Sequence, residues 1–176
     1  MIESSKYNWI IDQFRRSLDT GYNSKILWGS RSIYRKDWIF LKKFISENRI
    51  KKVIEYGVGL STELLYLEGC NIFCLEDLKW WSDHNRKVFK GIKEINIVDY
   101  DIGSIPHFKE LRFDLAFVDG PKDDRTETVE HAKKHSDIIY CHDKRQQELI
   151  KEDTGWEAFN FHDKYSGHFF HKEADL

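Results

Sequence analysis

Val53-Ile54-Glu55-Tyr56-Gly57-Val58-Gly59-Leu60-Ser61-Thr62 is the stretch that decides the fold. A short apolar run stops at two glycines, and a helical pattern over 61–68 follows. Strand, glycine loop and helix in that order are the context a nucleotide-type loop requires. Gly57 and Gly59 let the backbone turn tightly and let a ligand approach with no Cβ in the way. Ser61 or Thr62 is placed to cap the helix, with Glu63 and Glu68 along it. An ordinary strand-to-helix turn would use the same residues, so the loop takes its meaning from its surroundings.

Four further apolar runs follow, and each stops at something polar. Asn71–Leu75 ends at Glu76-Asp77 and Ile95–Val98 at Asp99; Asp114–Val118 ends at Asp119-Gly120-Pro121 and Asp137–Cys141 at His142-Asp143. Short, nearly continuous apolar runs suit strands covered on both faces. Stretches of helical character at 79–91, 123–135 and 143–152 separate most of them, which is the alternation of an α/β layer fold. Ahead of the loop, Trp9, Ile10, Phe14 and Leu18 keep helical spacing, and so do Trp38, Leu41, Phe44 and Ile45. At the other end, Trp156–His162 and His168–Lys172 alternate around Lys164-Tyr165-Ser166-Gly167, which reads as an antiparallel hairpin. The expected sheet is doubly wound and mostly parallel, of about seven strands, with that hairpin at the C-terminus.

With 176 residues the chain fits one domain and leaves little room for a second. Apolar residues at 40% and aromatics at 15% exclude a disordered chain. A net charge of -2 argues against binding a phosphate backbone, and hence against a nucleic-acid partner. The charge is uneven: residues 1–50 hold 10 basic and 5 acidic side chains, and the remainder 18 and 25, a contrast that would steer an anionic substrate. No run approaches the roughly 18 apolar residues of a membrane helix. Met1–Tyr7 is polar, without a signal-peptide core, so the cytoplasm is the expected location. Cys70, Cys74 and Cys141 have no repeated spacing, which suits free thiols rather than a disulfide framework or zinc cluster.

In an open α/β sheet, ligands bind beyond the carboxyl ends of the strands. Gly57, Gly59, Glu76, Asp99, Asp119 and Asp143 would therefore share one rim. Glu76 lies 19 residues beyond Gly57, near the about 20 expected of a carboxylate that receives ribose hydroxyls. A dinucleotide fingerprint would place Gly or Ala at position 62, where the chain has Thr62, and Glu55 would repel a pyrophosphate. A nicotinamide cofactor is thereby disfavoured, and a cationic or amino-acid-bearing ligand is favoured.

From about residue 35 to 172 the sequence resembles the class I S-adenosylmethionine-dependent methyltransferases. The resemblance implies a Rossmann-like fold, with 1–50 as an N-terminal helical segment of the same domain and 51–176 as the cofactor-binding core. It implies that Glu55, Gly57, Gly59, Ser61 and Thr62 wrap the methionine part of S-adenosylmethionine. Glu76 and Asp77 then meet the ribose, and Asp101-Ile102 the adenine, with Asp99 as a rival alignment. Asp119 matches the position that meets the cofactor amino group, the substrate or a metal. Val118-Asp119-Gly120-Pro121 also resembles a subgroup that includes sugar O-methyltransferases. The metal-dependent catechol-type enzymes carry an Asp-Asn pair where this chain has His142-Asp143. Magnesium prefers oxygen ligands, so no required metal is expected; Asp119 and Asp143 are the carboxylates that would hold a divalent ion.

His142, with an unperturbed pKa near neutrality, and Asp119 are both candidates for taking the proton of a hydroxyl acceptor. Arg125 and Arg145 would grip an anionic group on the substrate; local ion pairs in Asp123-Asp124-Arg125-Thr126-Glu127 are the plainer use. Trp80 and Trp81 would cover the adenine or pack on the sheet. Trp28-Gly29-Ser30-Arg31 would line the acceptor site or form a surface turn. The expected activity is transfer of a methyl group to oxygen of a small polar or sugar-like acceptor. The alternative is a non-catalytic binding module on the same fold; a homo-oligomer is compatible with either.

Overall fold

The computed structural model describes residues 33, 35–101, 104–106, 108–120, 126–142, 150, 155–159 and 167–172. Helix α1 (Arg35–Glu47) precedes β1 (Lys52–Tyr56), α2 (Leu60–Leu67), β2 (Asn71–Glu76), α3 (Lys79–Val88) and β3 (Ile95–Asp99). Then come β4 (Leu115–Val118), α4 (Thr126–His135), β5 (Ile138–Cys141), β6 (Trp156–Phe159) and β7 (His168–Lys172). The helix expected before residue 20, most of that over 143–152 and the hairpin turn lie outside the described residues.

The seven strands form one sheet in the order β3-β2-β1-β4-β5-β7-β6. β1 to β5 are parallel, and β7 runs antiparallel to both β5 and β6. The Rossmann-like, mostly parallel sheet with an antiparallel C-terminal pair is thus the observed fold. The chain builds outward from β1 to β3, then crosses to the far side of β1 to lay down β4. The order of the strands reverses at that point, and the crevice between the β1 and β4 loops is where such folds bind ligands.

Alternation along each strand distributes the core between two faces. Val53, Leu115 and Phe117 pack with Trp38, Leu41 and Phe44 of α1 and with Leu64 and Leu65 of α2. Ile54, Tyr56, Ala116 and Val118 pack on the other face with Val129 and Ala132 of α4. Period-two strands between helices make this split unavoidable. In α1 the buried residues recur at helical spacing while Lys42, Lys43 and Glu47 stay exposed. The helix closes with Ile50 N–H donating to the Ile45 carbonyl at 3.0 Å, across Arg49 in the left-handed region at φ 54°. A register row crosses the α1 face of the sheet: Glu55, Phe117, Tyr140 and Phe169 stand side by side. Phe117 and Tyr140 stack with ring centroids 5.2 Å apart. No helix among the described residues is long and apolar enough to cross a membrane.

Candidate active site

The β1 loop and the β4 loop touch at their glycines. Gly57 has φ 95°, which L side chains rarely adopt, and a Cβ there would sit 3.5 Å from the Gly120 nitrogen. Gly120 N–H donates to the Tyr56 carbonyl at 2.8 Å, and a Cβ on Gly120 would lie 3.3 Å from that oxygen. Both glycines are therefore required by the fold. Gly59 differs. Its backbone is extended, at φ 179°, and a Cβ would meet nothing within 4 Å. It is the N-cap of α2, a position that suits glycine, and the space beside it is open.

Of the two expected caps at α2, only Thr62 takes part. Ser61 does not cap; its hydroxyl donates to Glu55 Oε1, below the loop. Thr62 lies three residues into the turn, where its Oγ1 accepts the Gly59 N–H at 2.9 Å. Thr62 thus closes the loop with a side chain where a dinucleotide loop would need Gly or Ala to bring helix and strand together.

Glu55 is fully buried among Ser61, Thr62 and Cys74, whose thiol lies 3.5 Å from Oε2. Burial raises its pKa from 4.5 to about 8, against the three hydrogen bonds and with a smaller push from Asp119. Glu76 ends β2 with both oxygens engaged: Oε2 accepts Val58 N–H at 2.9 Å and Oε1 accepts Leu78 N–H at 3.0 Å. One carboxylate thereby ties the glycine loop to the start of α3. Burial raises its pKa to about 7, opposed by those two amides. The Asp77 side chain bonds it as well, and a carboxylate has about four acceptor positions, so these contacts need not fill it. Asp77, beside it, is half-buried.

Trp81 donates its indole N–H to the Val58 carbonyl at 2.6 Å and stacks on His84, whereas Trp80 is 67% exposed. Trp81 braces the loop from the α3 side. At the end of β3, Asp99 is taken by a fork from Arg86 at 2.8 and 3.1 Å, by the Ser82 hydroxyl and by Lys79. Those partners hold its carboxyl below the usual range, Arg86 first. Asp101 lies just past the strand and is exposed.

At the far side of the crevice, His142 Nδ1 lies 3.0 Å from Asp119 Oδ1. Asp119 follows Phe117 by two residues and His142 follows Tyr140 by two, so the stacked aromatic pair sets this polar pair on the same face. A third member was missed in reading the sequence. Asp37, in the first turn of α1, is fully buried with Oδ2 3.7 Å from His142 Nε2. Its signal was its phase: it shares the apolar stripe of Leu41 and Phe44, where a charge is out of place. Glu55, Gly57, Gly59, Ser61, Thr62, Glu76 and Asp77 surround the loop, and Asp119 and His142 meet across the crevice. Ile102, Arg125, Asp143 and Arg145 lie outside the described residues. Among the described residues no cluster of three or more His, Cys, Asp or Glu is arranged to hold a metal.

No family model and no curated protein matches the chain by sequence. Solved structures do match by shape. An O-methyltransferase from Bacillus cereus, in complex with S-adenosylhomocysteine, is 16% identical with a TM-score of 0.67, over 94% of this chain and 90% of that one. Cofactor-bound Rv0187 from MTB is 15% identical with a TM-score of 0.68, over 93% and 97%. The methyltransferase PaMTH1 of Podospora anserina, bound to S-adenosylhomocysteine, is 15% identical with a TM-score of 0.64, over 94% and 88%. The fold of this chain is the Rossmann-like fold of these methyltransferases.

Proposed function

We propose that the chain is an S-adenosylmethionine-dependent methyltransferase acting on an oxygen of a small polar or sugar-like acceptor. The observation that carries this is the loop after β1: Gly59 carries no Cβ and borders open space, and the Glu76 carboxylate lies beside it, bound to the Val58 amide, where a ribose hydroxyl would be received. The neighbours of like shape that hold S-adenosylhomocysteine support the same cofactor. Gly57, Gly59 and Thr62 would cradle its amino-acid portion, Glu76 and Asp77 the ribose, and Asp101 the adenine side. Ser61 and Glu55 would support the loop from below. When bound, the cofactor supplies a methyl group whose C–S bond breaks, leaving the electron pair on sulfur, as the acceptor oxygen bonds to carbon.

The residues of the chain then have two tasks, holding the acceptor in line and accepting its proton. Asp119 and His142, 3.0 Å apart, would serve the second. Incubating the folded chain with methyl-labelled S-adenosylmethionine and a panel of sugars, polyols and phenols tests the proposal. Label is expected on the oxygen of one acceptor class. Cofactor binding with no transfer across the panel would instead identify a binding module.

A further inference from the structure

We infer that Trp81 is a positioning residue of the cofactor loop: its indole N–H fixes the Val58–Gly59 peptide, the unit beside which the amino-acid portion of the cofactor would lie. The inference rests on the methyltransferase proposal for the identity of that ligand and on geometry alone for the arrangement. Four hydrogen bonds close a ring between the loop and the first turn of α3. Val58 N–H donates to Glu76 Oε2 at 2.9 Å, and Leu78 N–H donates to Glu76 Oε1 at 3.0 Å. The Trp81 amide donates to the Leu78 carbonyl at 2.9 Å, and the indole N–H returns to the Val58 carbonyl at 2.6 Å. Glu76 thus holds one side of Val58 and Trp81 the other.

The Val58 carbonyl and the Gly59 N–H belong to one peptide unit, and its two ends are held from different helices. Trp81 of α3 takes the oxygen, and Thr62 Oγ1 of α2 takes the hydrogen at 2.9 Å. Both holds matter because a glycine stands on either side of Val58, and glycine has the widest choice of backbone angles. Left to its own torsions, the unit could turn over, which would exchange the carbonyl and the N–H that border the open space at Gly59. Trp81 is itself fixed. Its ring lies flat on His84, with centroids 5.3 Å apart and 8° between the planes, and Asn85 Nδ2 donates to its carbonyl at 2.9 Å. Farther along α3, the fork of Arg86 on Asp99 ties the helix to β3. The loop is therefore shaped before a ligand arrives, and binding does not bear the cost of ordering it. Glu76 keeps its bond to the Leu78 amide whatever side chain stands at position 81, so the indole N–H governs the loop and not the ribose carboxylate.

Trp81→Phe keeps an aromatic ring and deletes the N–H. Calorimetry on the full-length variant compares S-adenosylhomocysteine with 5′-methylthioadenosine, which keeps the nucleoside and lacks the amino-acid portion. Affinity for the first should fall at least about fivefold, the effect of one lost hydrogen bond, while affinity for the second changes by less than about twofold. Equal losses for the two ligands, the mark of a merely structural role, overturn the inference, and so does an unaltered affinity for S-adenosylhomocysteine. The ligand-free wild-type chain gives a second reading by magnetic resonance. The Trp81 indole N–H, identified by its through-space signal to Val58, should exchange with solvent at least about a hundredfold more slowly than that of the exposed Trp80. Exchange as fast as that of Trp80 overturns the inference, and this reading decides alone if the Phe variant does not fold. If the wild-type chain does not bind S-adenosylhomocysteine, the methyltransferase proposal fails instead, and the exchange rate still decides whether Trp81 holds the loop.

Discussion

Replacing Glu55 by Gln should stabilise the chain most toward the alkaline side, and by an amount the structure sets. The side chain is fully buried beneath the glycine loop, and burial raises its pKa from 4.5 to about 8. The folded chain keeps a proton that the unfolded chain gives up near 4.5. The stability contributed by the neutral acid is complete below about pH 4.5 and is lost as pH rises to about 8. At about 1.4 kcal/mol per unit the whole shift is worth about 5 kcal/mol, and roughly half is expected because interiors relax around a buried charge. Domains hold about 5–15 kcal/mol in total, so such a loss is large. Gln keeps an acceptor for the Ser61 hydroxyl and cannot ionise. Glu76, raised to about 7, loses stability in the same direction over a narrower window, so the variant keeps a residual slope. Urea unfolding followed by Trp fluorescence across this range measures the difference between the two proteins. It should be small near pH 4.5 and widen to about 2–3 kcal/mol by pH 8. Parallel stability curves would refute the account of a neutral Glu55 under the loop.

Gly57→Ala and Gly59→Ala should separate fold from ligand: the first should cost about 1–2 kcal/mol in thermal or urea unfolding because of its positive φ, and the second, at a helix N-cap bordering open space, should cost less than about 1 kcal/mol while weakening S-adenosylhomocysteine in calorimetry. Glu76→Ala frees the Val58 and Leu78 amides together and should lower that affinity at least about tenfold, equivalent to about 1.4 kcal/mol. His131 bridges the Tyr56 hydroxyl, at 2.7 Å, and the Pro106 carbonyl, at 3.1 Å, from within α4. His131→Phe keeps the ring and removes both bonds, and urea unfolding should show a loss of about 2–3 kcal/mol.

The strands could be read directly because each is a short apolar run, from Val53–Tyr56 to Ile138–Cys141, cut off by a polar residue. Their order could not, since the pairing of β1 with β4 depends on Gly57 and Gly120 passing within contact distance, 63 residues apart in the chain. The glycine loop and Glu76 stood out because spacing from the loop carries chemical meaning there. Of the two residues placed to cap α2, Thr62 takes the Gly59 amide, and Ser61 turns instead to Glu55, which points into the core beneath it. Asp99 is engaged by Arg86, which reaches across from α3 and which no local pattern connects to it. Asp37 escaped notice because its partner, His142, is 105 residues away and only the closing of α1 over the sheet joins them.

Titration calorimetry of the folded chain with S-adenosylhomocysteine tests the central claim most directly. Saturable binding at one site per chain, weakened by Glu76→Ala and by Gly59→Ala, is the predicted result. No heat of binding at millimolar ligand, from a chain shown to be folded in the same sample, would contradict it.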